Sequence, residues 1–107
     1  MTKSEIFEQL FDFTSSDWPD DEELVGYALT RTGYMGDNGY YGIEYWDDID
    51  YETEDPVKEG NILVNYTDGE QKDIQVSEDE YITELIKHLI KNNNQSLADK
   101  LINQKIT

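Results

Sequence analysis

Between Lys3 and Lys58 a single base, Arg31, stands against sixteen acids. Residues 1–57 carry sixteen acids and two bases, a net of −14, and residues 58–107 carry nine acids and six bases, a net of −3, which together give the −17 of the whole chain. Self-repulsion on this scale works against a compact state, so apolar burial has to outweigh it within one small core. The charge gathers in two runs, Asp20–Glu23 and Asp47–Asp55, the latter interrupted only by Ile49, Tyr51 and Thr53. A surface of this sign steers toward a positive partner and rejects negative ones. A basic protein surface is the expected partner, with no direct nucleic-acid contact and no anionic membrane.

The length, 107 residues, suits one domain spanning 1–107. Acidic disordered chains are poor in aromatics, whereas this one has eight Tyr, three Phe and two Trp, which argues for a folded, aromatic-rich core. Without cysteine there is no disulfide, no thiolate catalysis and no sulfur-built zinc site. Residues 1–14 lack an apolar run of signal-peptide length, and no stretch approaches the ~20 apolar residues of a membrane span. A soluble cytoplasmic protein is expected.

Hydrophobic periodicity assigns the elements. Residues 4–14 read as a helix capped by Ser4, with Ile6, Phe7, Leu10 and Phe11 on one face. Leu24–Tyr34, with Val25, Tyr27, Leu29 and Thr30, reads as a strand paired over Leu24–Thr32. Gly33, Gly36 and Gly39 then supply a turn, and Trp18 beside Pro19 is expected to pack on the sheet or line the acidic loop. A second strand follows over Tyr41–Ile49, extending toward Tyr51, with Ile43, Tyr45, Ile49 and Tyr51 on one face and Glu44, Trp46, Asp48, Asp50 and Glu52 on the other.

Ile62–Tyr66 and Lys72–Val76 read as a hairpin. A two-residue Asp68-Gly69 turn would set Val64 opposite Asp73 and split the apolar residues between two faces. A three-residue loop, Thr67 to Gly69, pairs Ile62 with Ile74, keeps the apolar residues together and gives Gly69 a positive φ. Ser77-x-x-Glu80 is a capping box opening the helix Ser77–Lys91, whose stripe is Ile82, Leu85, Ile86, Leu89 and Ile90 with Tyr81 at the margin. Asn92–Asn94 end it, and Ser96 caps a last helix facing inward through Leu97, Leu101 and Ile102. The expected fold is α+β: a four-stranded antiparallel sheet with an N-terminal helix and two C-terminal helices packed on one face.

The run from Asp47 to Asp55 admits three readings: metal ligation, solvated surface, or imitation of phosphates. A calcium loop of EF-hand type needs Gly at its sixth position, which from Asp48 or Asp50 falls on Thr53 or Asp55, so metal is the weakest. Alternate strand residues lie ~6.5–7 Å apart, close to the phosphate spacing of a nucleic-acid strand. Tyr45, Trp46 and Tyr51 add aromatic anchors of the kind interfaces favour. For Asp20–Glu23 the simpler reading is a solubilising loop. His88 is the sole histidine and is expected on the helix surface, held by Glu84 four residues earlier. No nucleophile is patterned with it, no carboxylate pair stands out, and Gly33-x-x-Gly36-x-x-Gly39 lacks the helix and Lys of a phosphate loop. An enzyme, a cofactor and a metal site are therefore not expected.

Asn61-Ile-Leu-Val-Asn-Tyr-Thr-Asp-Gly, followed by Asp73-Ile-Gln-Val-Ser-Glu-Asp-Glu-Tyr-Ile and Leu85-Ile-Lys-His-Leu-Ile-Lys, resembles small bacterial immunity proteins. The likeness is to the cytoplasmic immunity proteins of contact-dependent growth inhibition systems that neutralise ribonuclease toxins. It covers residues 61–92 in pattern and 24–92 in style. It implies an inhibitor without catalysis or cofactor that binds a toxin domain, as a monomer in a 1:1 complex. That family has no fixed functional motif to transfer, so the contact residues rest on charge and patterning: Trp46, Asp47, Asp48, Asp50, Glu52 and Glu54 at the centre, with Asp20, Asp21 and Glu23 as a secondary contact. The alternative is a nucleic-acid-mimicking inhibitor of anti-restriction or anti-CRISPR type, which applies the same physics to another basic partner.

Overall fold

The computed structural model describes residues 2–16, 18–36, 41–46 and 57–106, with side chains described to residue 103. Its elements are α1 (Lys3–Ser16), α2 (Asp21–Thr30), β1 (Tyr34–Gly36), β2 (Tyr41–Tyr45), β3 (Asn61–Asp68), β4 (Glu70–Ser77), α3 (Glu78–Lys91) and α4 (Gln95–Ile106). The strands form one antiparallel sheet in the order β1-β2-β3-β4. The mixed α+β class and the meander are as expected. Among the described residues four helices are present rather than three.

The added helix is α2, which replaces the strand expected over Leu24–Thr32. Val25, Tyr27 and Leu29 alternate in type, yet the buried set is Leu24, Val25 and Ala28, at helical spacing. The decisive signal is at the start. Asp20 accepts from the Glu23 amide at 2.8 Å, and Glu23 reaches back to the Asp20 amide at 3.4 Å, a complete capping box. Asp21, Glu22 and Glu23 fill the first turn, where the helix dipole favours negative charge. Arg31 closes α2 in the left-handed region with φ 52°, and the Thr32 amide returns to the Tyr27 carbonyl at 2.8 Å. The carboxylates that read as a solubilising loop are thus the opening turn of a helix.

The first strand is instead β1. Gly33 and Gly36, expected in a turn, mark close packing in the sheet. A Cβ at Gly33 would stand 2.6 Å from the Ile43 carbonyl oxygen, and one at Gly36 would stand 2.2 Å from the Tyr41 ring. α1 is capped by Thr2 rather than Ser4. The Glu5 amide donates to the Thr2 hydroxyl at 3.2 Å, and the Thr2 amide donates to the Glu5 carboxylate at 3.1 Å. That amide, with the Thr2 hydroxyl second, holds the Glu5 carboxyl below its ordinary range.

In the β3–β4 hairpin the parity is as expected and the register is shifted by two residues. Ile62 faces Val76 and Val64 faces Ile74, with Gly69 alone between the paired Asp68 and Glu70 at φ 76°. The shift sets both apolar residues of β3 opposite both of β4, whereas an Ile62–Ile74 pairing would leave Val76 beyond the strand. Ser77 caps α3, accepting from the Glu80 amide at 3.0 Å, while the Glu80 carboxylate turns to Lys3 at 3.3 Å.

The core gathers on one face of the sheet. Tyr34, Tyr41, Ile43, Tyr45, Ile62, Val64 and Val76 meet Ile6, Phe7, Leu10 and Phe11 of α1, Leu24 and Val25 of α2, Tyr81, Leu85 and Leu89 of α3, and Ala98 and Leu101 of α4. Two assignments on α3 are corrected. Tyr81 is buried rather than marginal, and Ile90 is 47% exposed rather than in the stripe. The Tyr34 and Tyr81 hydroxyls meet at 3.3 Å inside this core, and burial pushes both phenols well above their ordinary range.

Candidate functional site

β2 delivers the chain to the acidic run. It is fixed by Ile43 opposite Val64 and Tyr45 opposite Ile62, with both its residues buried. Trp46 follows at once and is half-buried. The chain returns at Val57, which is buried. The Lys58 amide then donates to Gln75 at 3.2 Å, and the Asn61 amide to the Lys58 carbonyl at 3.0 Å. Residues 47–56, with six acids, thus lie in sequence between the half-buried Trp46 and the buried Val57. Asp47, Asp48, Asp50, Glu52 and Glu54 lie outside the described residues, as do Ile49 and Tyr51.

Asp20, Asp21 and Glu23 are all described, and each has local work. Asp20 and Glu23 form the capping box, and Glu23 also accepts the Trp18 indole N–H at 2.9 Å. Trp18 stands edge-on to Tyr27 and to Tyr34 of β1, at 6.0 and 6.4 Å between ring centroids. It thus packs against the sheet and lines the acidic turn, and both expected roles are met. Asp21 points inward. One oxygen contacts His88 Nε2 at 2.9 Å, and the other accepts from Asn92 and Asn94. His88, whose side chain is 10% exposed, also stacks on Phe11 at 4.8 Å. Its expected partner Glu84 pairs with Lys87 instead, at 3.3 Å. The sequence hid this cluster because its members come from α2, α3 and the turn before α4. The signal available was the Asp20-x-x-Glu23 box, which places Asp21 on the first turn of a helix.

The first acidic stretch and the end of β2 stand at opposite ends of α2. Arg31, at its C-terminal end, sits over the Tyr45 ring at 5.1 Å, beside the exit of β2. Asp20–Glu23 open the other end, and ten helical residues span ~15 Å. Arg31 also pairs with Glu78 at the start of α3. Both bases of the N-terminal half are therefore paired within the chain, Lys3 with Glu80 and Arg31 with Glu78, and Arg31 sits beside the end of β2.

The Nε2 edge of the His88 ring faces Asp21 and Asn92, a polar contact that ties α3 to the first turn of α2. Among the described residues no three of His, Asp and Glu converge as metal ligands. No helix among them is long and apolar enough to cross a membrane. A shallow hollow beside Asp21, lined by Ser15, Asp20, Glu22, Asn92, Asn94 and Leu97, is polar and open. Comparison with protein-family models, curated proteins and solved structures finds no match.

Proposed function

We propose that this chain is a cytoplasmic immunity protein that binds one basic nuclease toxin domain, a ribonuclease, as a 1:1 complex and neutralises it without catalysis, cofactor or metal. The observation that carries the reading is the charge of the segment between Tyr45 and Val57, within a half-chain of net −14. Nuclease active sites hold phosphates with Lys, Arg and His, so an acidic surface with an aromatic anchor is their complement. Trp46 is the anchor, Asp47, Asp48, Asp50, Glu52 and Glu54 the central charges, and Asp20, Asp21 and Glu23 the secondary contact. Within that secondary set Asp20 and Glu23 act mainly by cap geometry and Asp21 is turned inward, so the central run carries most of the steering.

The test is rescue of cells expressing a cognate nuclease toxin, with binding kinetics measured on the purified pair. Changing Asp48, Asp50 and Glu52 together to Lys lowers the association rate and flattens its salt dependence. Trp46→Ala raises the dissociation rate. Full protection and unchanged kinetics from the folded triple variant overturn the assignment of this segment. Inhibition of a restriction or CRISPR nuclease, with no rescue from a nuclease toxin, assigns the chain to the phosphate-mimicking class.

A further inference from the structure

The sheet has a second face, and among the described residues no helix packs on it. The register sets out two rows there: Met35, Gly42, Asn65 and Asp73 in one, and Glu44, Leu63 and Gln75 in the other. This surface is built to be flat and partly apolar. Gly42 has φ 155°, and a Cβ there would meet the Tyr34 carbonyl oxygen at 2.4 Å and Met35 Cα and Sδ at 2.9 and 3.0 Å. Met35 can therefore lie across Gly42, where Asn65 Nδ2 reaches its sulfur at 3.7 Å. Met35 is 41% exposed, and Leu63 is half-buried beside Glu44. An open hollow of ≈ 350 Å³ lies at the start of β1, lined by Thr32, Gly33, Tyr34, Met35, Ile43 and Glu44.

The ionic groups of these rows are Glu44 and Asp73, and neither Lys nor Arg stands in them. Glu44 is half-buried, yet among the described residues its carboxylate has no hydrogen-bond or ion-pair partner. A carboxylate so placed gains from a cation brought to it. Lys and Arg carry that cation on an apolar stem, which Met35 and Leu63 are placed to receive. A second copy of the chain would bring another −17 and is repelled.

We infer that the helix-free face of the sheet, centred on Met35, Glu44 and Leu63, is a docking surface for a basic segment of a protein partner, with an Arg or Lys stem laid on Met35 and Leu63 and its cation at Glu44. This rests on the reading that the partner is a basic protein, and it extends the proposed contact, since β2 leads from Glu44 into Trp46 and the acidic run.

The test is an NMR titration of the full ¹⁵N-labelled chain with a synthetic peptide alternating Arg and Val, against the same peptide with citrulline for Arg. The Arg peptide is expected to shift Met35, Gly42, Glu44, Leu63 and Asn65 saturably, and the citrulline peptide is not. Glu44→Gln weakens this binding roughly three- to tenfold. Met35→Ser weakens it too, and both variants keep the wild-type denaturation midpoint. The triple Lys variant at 48, 50 and 52 still shifts Met35 and Leu63. Shifts spread evenly over the acids of α2 and α3, equal binding of the citrulline peptide, or self-association that Met35→Ser abolishes each overturn the docking surface. The readout is separate from toxin rescue: loss of the face with rescue intact sinks this inference alone, and a binding face without rescue sinks the immunity reading alone.

Discussion

Helices α2 and α3 begin with the same device and are held in place by different physics. Each has a short acceptor side chain at its N-cap, Asp20 or Ser77, and three acids in its first turn. Beyond that turn they diverge. α3 buries Tyr81, Leu85 and Leu89 at four-residue steps along fourteen residues. α2 has ten residues, buries Leu24, Val25 and Ala28 near its middle, and carries the flexible Gly26 on its exposed side. α3 is therefore a packing helix and α2 a capped one. Local hydrogen bonds and charge placement make up a larger share of what keeps α2 folded. That difference places the acids of 20–23 partly in the service of the fold.

The largest expected effect probes α3. Leu85→Ala removes a wholly buried side chain at the centre of its stripe and is expected to cost ~2–5 kcal/mol, read from the urea midpoint. A loss below about 1 kcal/mol would break the packing-helix assignment. Next is the hydroxyl pair that α3 hides. Tyr34→Phe leaves the Tyr81 hydroxyl buried without its partner and is expected to cost ~1–3 kcal/mol. This site also sets an alkaline limit. Both phenols titrate higher folded than unfolded, so their contribution is complete below the unfolded value near ~10 and is lost as pH rises toward the folded values. Urea midpoints from about pH 9 to 11 should fall with pH, less steeply in Tyr34→Phe.

The caps come third. Asp20→Ala and Ser77→Ala should each cost about 1 kcal/mol globally. Hydrogen exchange separates them: Asp20→Ala strips protection through all of α2, whereas Ser77→Ala frays only the first turn of α3. Equal fraying in both helices would erase the distinction. The smallest effect has the opposite sign. Gly26→Ala meets no atom within 4 Å, sits mid-helix and is expected to stabilise by about 0.5–1 kcal/mol.

The same contrast explains what was legible in the sequence. A helix driven by burial announces itself through periodicity, so the spans of α1, α3 and the last helix could be read from their apolar stripes. The β3–β4 hairpin was legible through parity, because one face had to be apolar. Its exact pairing was not, since a two-residue slide preserves parity and only the number of matched apolar pairs decides it. α2 is hidden because Val25, Tyr27 and Leu29 alternate by chance and mask a capping box written in four consecutive acids. Ile90 fits the stripe by spacing, but the stripe is wider than the surface it packs against. Of the candidate contact residues, Trp46 reads by alternation as part of a strand running on to Ile49, whereas β2 ends one residue before it, at Tyr45. The inward turn of Asp21 was invisible, since it needs His88 and Asn94 brought from about seventy residues away.

Gln9 has a consequence beyond its own two bonds. From α1 its amide donates to the Thr67 carbonyl at 2.7 Å and accepts the Thr67 amide at 3.0 Å, two residues past the last described β2–β3 pair at Asn65. One side chain thus bonds both backbone groups of Thr67, as a paired strand residue does. An open stretch of backbone there would be a template for another polypeptide. Loss of α1 therefore does more than weaken the core: it unlatches an edge. Aggregation of this chain should begin with the departure of its first sixteen residues, well before the sheet itself melts.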